Sequence, residues 1–333
     1  MWSGIKKNSV NFLKIALPLV LGGLLLWYIY KDIEFGQIAR VLNSDIRYGY
    51  LLLSLVFGLG ANMLRGLRWG LLVEPLGYKP RKVLLMLAVV GNYGVNLVLP
   101  RVGEVWRCGI VAKYDNQPFS KLFGTLIVDR LYDVIAIAVI FALSFVLTPG
   151  FYPPLFKEES STIFSLRDAL LCVWGLLAAL AIAWGVFVVI RRFAFYARVR
   201  RFFANVFAGL RSLWGMKHKV RFLAYTVGVW GGYFLYFYLT FFAFGFTREL
   251  SPAYGLAIFA LTCAGVMVPV QGGVGPWHFV VILGLASLGI ARGDAAAFAL
   301  IVHTLQTLWV ALTGFACVLA IPIIYNNPKT PLR

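Results

Sequence analysis

Arg101, Glu104 and Arg107 recur at three-residue steps, and Asp129, Arg130 and Asp133 follow inside the next apolar run. Charged side chains in apolar surroundings are costly unless paired or wet, so they mark ion networks or ligand paths. If a half-helix starts after Gly103, Glu104 stands at its N-terminus, where free N–H groups and the helix dipole favour an anion. That arrangement is either a capped, salt-bridged helix start or an anion site. In the second case Arg101, Arg107 and the backbone hold a ligand's anionic group while Glu104 competes for the same cations. Asp129 and Asp133 lie one turn apart on one helix face, a spacing that can hold Mg²⁺ for diphosphate chemistry. The second acidic loop of such metal sites is missing, which favours a buried ion-pair network with Arg65, Arg101 or Arg107. In the preceding apolar run Asn62, Arg65 and Arg68 share a face. Arg68, closer to the run's end, is expected to snorkel to water. Arg65 is deeper and needs Glu104 or Asp129 as a partner.

A second group carries no charge. Gln271-Gly272-Gly273-Val274-Gly275-Pro276 is rich in residues that let successive backbone N–H groups converge into a phosphate nest. Glycine serves a close-packed turn equally well, and Pro276 suits the first turn of a following helix. His278 comes next, and His303, Gln306 and Thr307 form one polar face further on. A histidine among amides is more often a satisfied core residue, so proton coupling through His303 and Gln306 is the alternative reading. No Ser/His/Asp constellation, phosphate-binding P-loop or metal-ligand spacing is present in the sequence, and neither cofactor nor resident metal is expected. Cys108, Cys172, Cys263 and Cys317 are widely separated and read as core residues.

The elements that position these groups follow from composition. Of 333 residues 61% are hydrophobic and 13% charged, and the mean hydropathy is +0.82. A soluble domain of this length could not hide so much apolar surface, and the apolar runs match the roughly 20 residues needed to cross a bilayer. The expected fold is therefore an all-α polytopic membrane protein. Spans are expected at Leu13–Tyr30, Tyr48–Val73, Phe119–Leu147, Ala169–Ile190, Phe222–Phe246 and Ala295–Ile321, about six transmembrane helices. The first is a retained helix, since no small-residue cleavage site precedes Lys31. Between these spans, Val83–Leu99 and Tyr254–Val268 are short and end at the two Pro/Gly breaks. Backbone that leaves the helix at membrane depth must be buried or line a wet cavity. The two regions are thus predicted to be re-entrant helical hairpins.

Lysine and arginine total 31 against 13 acids, a formal net charge of +18. The bases crowd beside apolar runs, which points to membrane topology and anionic headgroups, not nucleic acid. Residues 191–221 hold nine bases and no acid, so this stretch is expected on the cytoplasmic side as a basic amphipathic helix on the inner leaflet. Working outward from it, with both hairpins re-entrant, puts both termini and Lys79, Arg81 and Lys82 in the cytoplasm. Each unit then has three crossings and one hairpin. Residues 1–150 and 165–325 form an inverted repeat within a single membrane domain spanning 1–333. A faint echo of Val98-Leu99-Pro100-x-x-Gly103-x-Val105 in Met267-Val268-Pro269-x-x-Gly272-x-Val274 accompanies it.

The motif Pro100-Arg101-Val102-Gly103-Glu104-Val105-Trp106-Arg107, the Asp129-Arg130-x-x-Asp133 element and Pro269-x-x-Gly272-Gly273-x-Gly275-Pro276 together resemble the lysylphosphatidylglycerol synthase transmembrane-region family. That family includes the flippase domain of the bacterial multiple peptide resistance factor. The resemblance implies a lipid flippase of the bacterial cytoplasmic membrane that moves an anionic or aminoacylated phospholipid between leaflets. By position, Arg101, Glu104, Arg107, Asp129, Arg130, Asp133 and residues 271–276 inherit the site, with Asp129 standing where many relatives carry glutamate. The chain ends soon after its last span, so no aminoacyltransferase domain and no enzymatic activity are expected. Membrane phospholipids are the expected partners, with a second copy of the chain and a separate lipid-modifying enzyme as further candidates. The alternatives are an Mg²⁺-dependent membrane enzyme acting on a polyprenyl or phospholipid phosphate, and an ion-coupled carrier of small solutes using His303 and Glu104.

Overall fold

A computed structural model describes residues 20, 22–31, 33, 35–99, 101–152, 218–266 and 270–325. They form helices in chain order: α1 (22–30), α2 (Phe35–Leu42), α3 (Tyr48–Val73), α4 (Lys82–Val98), α5 (Val102–Asp115), α6 (Phe119–Leu147), α7 (Lys219–Tyr238), α8 (Pro252–Gly265), α9 (Pro276–Ala286) and α10 (Arg292–Ile324). Among the described residues no strand occurs. Among the described residues four helical stretches are long and apolar enough to cross a membrane: Tyr48–Leu76, Phe119–Leu147, Lys219–Ala243 and Arg292–Ile324.

Local chemistry sets the boundaries. The 3₁₀ turn Glu74–Leu76 ends α3, and Gly77 closes it with a left-handed φ of 95°. Asn116 caps the end of α5 in the same conformation. Pro118 precedes α6, while Pro252 and Pro276 occupy the first turns of α8 and α9, where their missing N–H costs nothing. The expected span Phe222–Phe246 needs correction at both ends. Its helix starts at Lys219 and tightens into a 3₁₀ turn over Leu239–Ala243, leaving helical geometry at Phe244. The last expected span extends by three residues at each end. The basic segment 191–221 falls outside the described residues up to 217, and Lys219–Arg221 belong to α7. The expected span Ala169–Ile190 and residues 13–19 of the first also lie outside the described residues. Composition had given no hint of the short helix α2, which packs against α10.

Helices α4 and α5 fold back on each other: Trp106 packs at Gly91, and Arg81 reaches Asp115 at the open end through a 2.7 Å bond. Helices α8 and α9 do likewise, Gly265 against Pro276 and Ile258 against Gly284. Both Pro/Gly breaks are therefore tips of antiparallel helical hairpins. Between the halves of the chain, α3 packs on α7, α4 on α10 and α8 on α6. The α3–α7 pair is antiparallel, since Gly58 faces Tyr236 while Leu64 faces Gly228. At the α4–α10 crossing a Cβ on Gly94 would stand 2.8 Å from the Gly314 carbonyl carbon. Only glycine permits that backbone approach, the usual device where helices pack without a hydrophobic drive between them.

Candidate functional site: an arginine-rich cavity between two hairpin tips

Helical register brings the charges together. Arg65 and Arg68 project from one face of α3, Asp129 and Asp133 from one face of α6, and Glu104 and Arg107 from the first turns of α5. Asp129 is fully buried and takes three arginines. Arg68 donates through Nη2 at 2.5 Å and Nε at 3.0 Å to its Oδ1, while Arg107 Nη2 lies 3.1 Å and Arg65 Nε 3.7 Å from its Oδ2. Asp133 is paired with Arg65, with Arg68 at 2.8 Å and with Arg130 at 3.4 Å. Arg130 reaches on to Glu104 Oε1 at 3.1 Å, and the Asn96 amide donates to Glu104 Oε2 at 3.3 Å. The guanidinium of Arg107 also lies 4.7 Å from the Trp69 ring centroid, a cation–π contact.

Among the described residues four guanidinium groups thus face three carboxylates, a surplus of one positive charge, and Arg101 lies on the wall of the adjoining cavity. Aromatic hydroxyls extend the network. Arg65 Nη1 donates to Tyr93 at 3.0 Å and to Tyr233 at 3.3 Å, and Tyr233 donates to Asn62 at 2.7 Å.

The uncharged tip meets the charged one. Gln271 Nε2 donates to the Val98 carbonyl at 3.0 Å, joining the second hairpin's turn to the end of α4. Gly272 takes a left-handed φ of 62° there. Of the backbone at 271–275, which the sequence leaves open as a phosphate nest or a tight turn, three N–H groups are already hydrogen-bonded. The N–H groups of Gly273, Val274 and Gly275 donate to Val270 O, Gln271 O and His278 Nδ1, so the tip is a closed 3₁₀ turn with these donors already used. His303 Nε2 lies 3.0 Å from the Gly272 carbonyl. A carbonyl can only accept, so Nε2 carries the proton and Nδ1 is free to accept from Thr307 Oγ1 at 3.3 Å. Gln306 Nε2 donates to Tyr236 O at 2.9 Å, fixing α7 to α10.

A cavity of about 460 Å³ opens between the tips. Of the residues singled out in the sequence, Arg65, Arg101, Glu104, Arg130 and Asp133 line its charged side, and Gly272, Gly273, His303 and Gln306 its neutral side. Arg107 and Asp129 stand behind the wall as the buried base of the network. Gly103 is structural: its N–H donates to Asn96 Oδ1 at 2.8 Å, and a Cβ there would collide with the Asn92 carbonyl. Gly275 turns the chain into α9 with φ 93°, against Leu25 of α1. Arg68 is a correction. It does not snorkel but is wholly buried as the bridge between Asp129 and Asp133. Tyr93, Asn96, Trp230 and Tyr233 also line the cavity and had no signal in a chain so rich in aromatic residues.

The family comparison matches residues 15–314, nearly the whole chain, to the lysylphosphatidylglycerol synthase TM region. The chain belongs to this family. The lysylphosphatidylglycerol synthase transmembrane-region chain is also similar to a UPF0104 membrane protein of Methanocaldococcus jannaschii, at 22% identity over 43% of this chain and 44% of that one. It is similar to the glycosyltransferase AglD of Haloferax volcanii as well, at 34% identity over 22% of this chain and 12% of that one. The matched stretches thus span under half of either relative's length. No solved structure matches. Family membership and the apolar helices together make this a membrane protein.

Proposed function

We propose that this member of the family is a non-enzymatic phospholipid translocase of the cytoplasmic membrane. The observation that carries the proposal is the surplus of positive charge on a cavity walled by both hairpin tips. An anionic headgroup would enter that cavity while its acyl chains stay in the bilayer. The pairings α3–α7, α4–α10 and α6–α8 link the two halves of the chain reciprocally, which supports reading them as an inverted repeat with two re-entrant hairpins. Rocking one half against the other would expose the cavity to each leaflet in turn. In this arrangement the basic segments and both termini lie in the cytoplasm.

The Mg²⁺-enzyme reading is weakened by the same geometry. Both oxygens of Asp129 and of Asp133 are already held by guanidinium groups, so a divalent cation between them would replace four close arginines. Purified protein in liposomes containing fluorescent phosphatidylglycerol, read by dithionite quenching of the outer leaflet, tests the proposal. Arg65→Gln combined with Arg130→Gln should slow translocation at least about tenfold, the equivalent of one charge-assisted contact. A double variant as fast as the wild-type protein, or a wild-type rate equal to that of empty liposomes, sinks it.

A further inference from the structure

Of the cavity arginines, Arg130 spends its two terminal nitrogens on acids, Nη1 on Asp133 and Nη2 on Glu104. Arg65 does not. Its Nη2 pairs with Asp133, but its Nη1 donates to two phenols, Tyr93 at 3.0 Å and Tyr233 at 3.3 Å. Both tyrosines line the cavity half-buried, one on α4 and the other on α7. The proton positions follow from the far end of the chain of bonds. Tyr233 donates its one hydrogen to Asn62 Oδ1 at 2.7 Å, so across the 3.0 Å gap between the two hydroxyls it accepts and Tyr93 donates. The result is a one-way chain, Arg65 to Tyr93 to Tyr233 to Asn62, that leaves α3 and returns to it. It clasps α4 to α7 at the cavity wall through neutral acceptors.

Resting on the translocase reading, we propose that Tyr93 and Tyr233 are positioning residues that hold Arg65 Nη1 until an anionic oxygen takes it, and that this exchange couples ligand entry to separation of α4 from α7. A guanidinium bonds more strongly to a charged oxygen than to a phenol, since the two charges attract as well. The phenols therefore keep Nη1 in place yet yield it to a phosphate oxygen, where a carboxylate would retain it. Asp133 stays on Nη2 and fixes the guanidinium while its other edge changes partner. The Tyr93 hydroxyl follows, because its bond to an anionic oxygen is roughly twice as strong as one to a neutral phenol. Once that proton turns, the bond between α4 and α7 is gone, while Tyr233 stays tied to Asn62 of α3. A ligand shifts an equilibrium between two states only by its difference in affinity for them. Here the ligand makes its new bonds only as the clasp opens, and the empty protein regains the clasp on closing.

Phosphatidylglycerol translocation by the full chain in liposomes, measured over a range of lipid mole fractions, tests the proposal. Tyr93→Phe removes the clasp and no charge. It should lower the half-saturating mole fraction about fivefold, since binding no longer breaks the clasp, and lower the maximal rate by a similar factor, since closing the empty protein regains nothing. Tyr233→Phe should move both values the same way and serves where Tyr93→Phe does not fold. A purely structural role would lower the maximal rate without lowering the half-saturating fraction. An unchanged or raised half-saturating fraction, in a variant that melts like the wild-type protein, overturns the proposal. Inorganic phosphate that halves the wild-type rate at the concentration of the lipid would make the exchanging anion a soluble one and overturn the lipid part. A wild-type rate equal to that of empty liposomes overturns the translocase reading and the coupling with it, and native mass spectrometry then decides the exchange. Stronger retention of phosphatidylglycerol by Tyr93→Phe than by the wild-type protein leaves the exchange at Arg65 standing, and equal retention removes it as well.

Discussion

Arg68 has no solvent exposure and bridges Asp129 and Asp133, so the charge cluster depends on it for cohesion and not for access to the cavity. Arg68→Met should lower stability by about 3–5 kcal/mol, because two buried carboxylates each lose a cation while the remaining pairs stay desolvated. Thermal denaturation of the detergent-purified variant checks this, and an unchanged midpoint would show that Arg65 and Arg107 suffice. Glu104→Gln behaves differently. It removes one wall charge, raising the positive surplus; the amide oxygen can still accept from Arg130, but its NH2 then faces the Asn96 amide donor. Retention of phosphatidylglycerol, read by native mass spectrometry, should rise several-fold, with a loss of stability of about 1 kcal/mol, smaller than that of Arg68→Met. At this scale much was visible from the letters. Charges stand out in an apolar chain, so Arg65, Glu104, Asp129 and Asp133 were legible as a network. Arg68 departs from the snorkelling expectation because snorkelling depends on how far a neighbouring helix covers the end of its own. Linear distance from a span's end does not contain that.

The hairpins are the elements on which the cavity rests. Pro276 and the glycines of the second break marked a tip correctly, but glycine's two uses could not be separated without seeing where the N–H groups point. Once Gly273, Val274 and Gly275 are found donating within the turn, the tip becomes a brace held by His303 and Gln271. The motif echo between the breaks does not extend to conformation. Arg101 alone has a positive φ in the described part of the first tip, whereas Gly272, Gly273 and Gly275 all do in the second, the first of them two places further along in the aligned motifs. The α4–α10 crossing offers a sharp test. Gly94→Val would put side-chain atoms into Gly314 and should destabilise the fold by at least about 1–3 kcal/mol. Gly109→Ala, in helix α5 with open space around it, should be neutral or stabilising by about 0.5–1 kcal/mol. Melting temperatures of the two variants in one detergent compare them, and equal shifts would contradict the close approach.

Over the whole molecule, apolar side chains left exposed on α6 and α10 form the surface that hydrocarbon must cover. Val139 is 59% exposed and Leu312 65%, each near the middle of a membrane-length helix. Val139→Arg or Leu312→Arg should cost about 2.5–3.5 kcal/mol of insertion free energy, seen as loss of protein from the membrane fraction. Normal membrane yield from both would mean that this face meets protein instead of lipid. The helical class, and the four membrane-length helices among the described residues to within a few residues at their ends, were determined by the sequence alone, because apolar runs of bilayer length and Pro/Gly breaks are local properties of the chain. Tertiary structure alone decided that the two breaks meet, that Gln271 ties one to Val98 of the other, and that four arginines outnumber three acids beside one cavity. Those facts depend on contacts between residues far apart in the chain, whose register is set by helix packing.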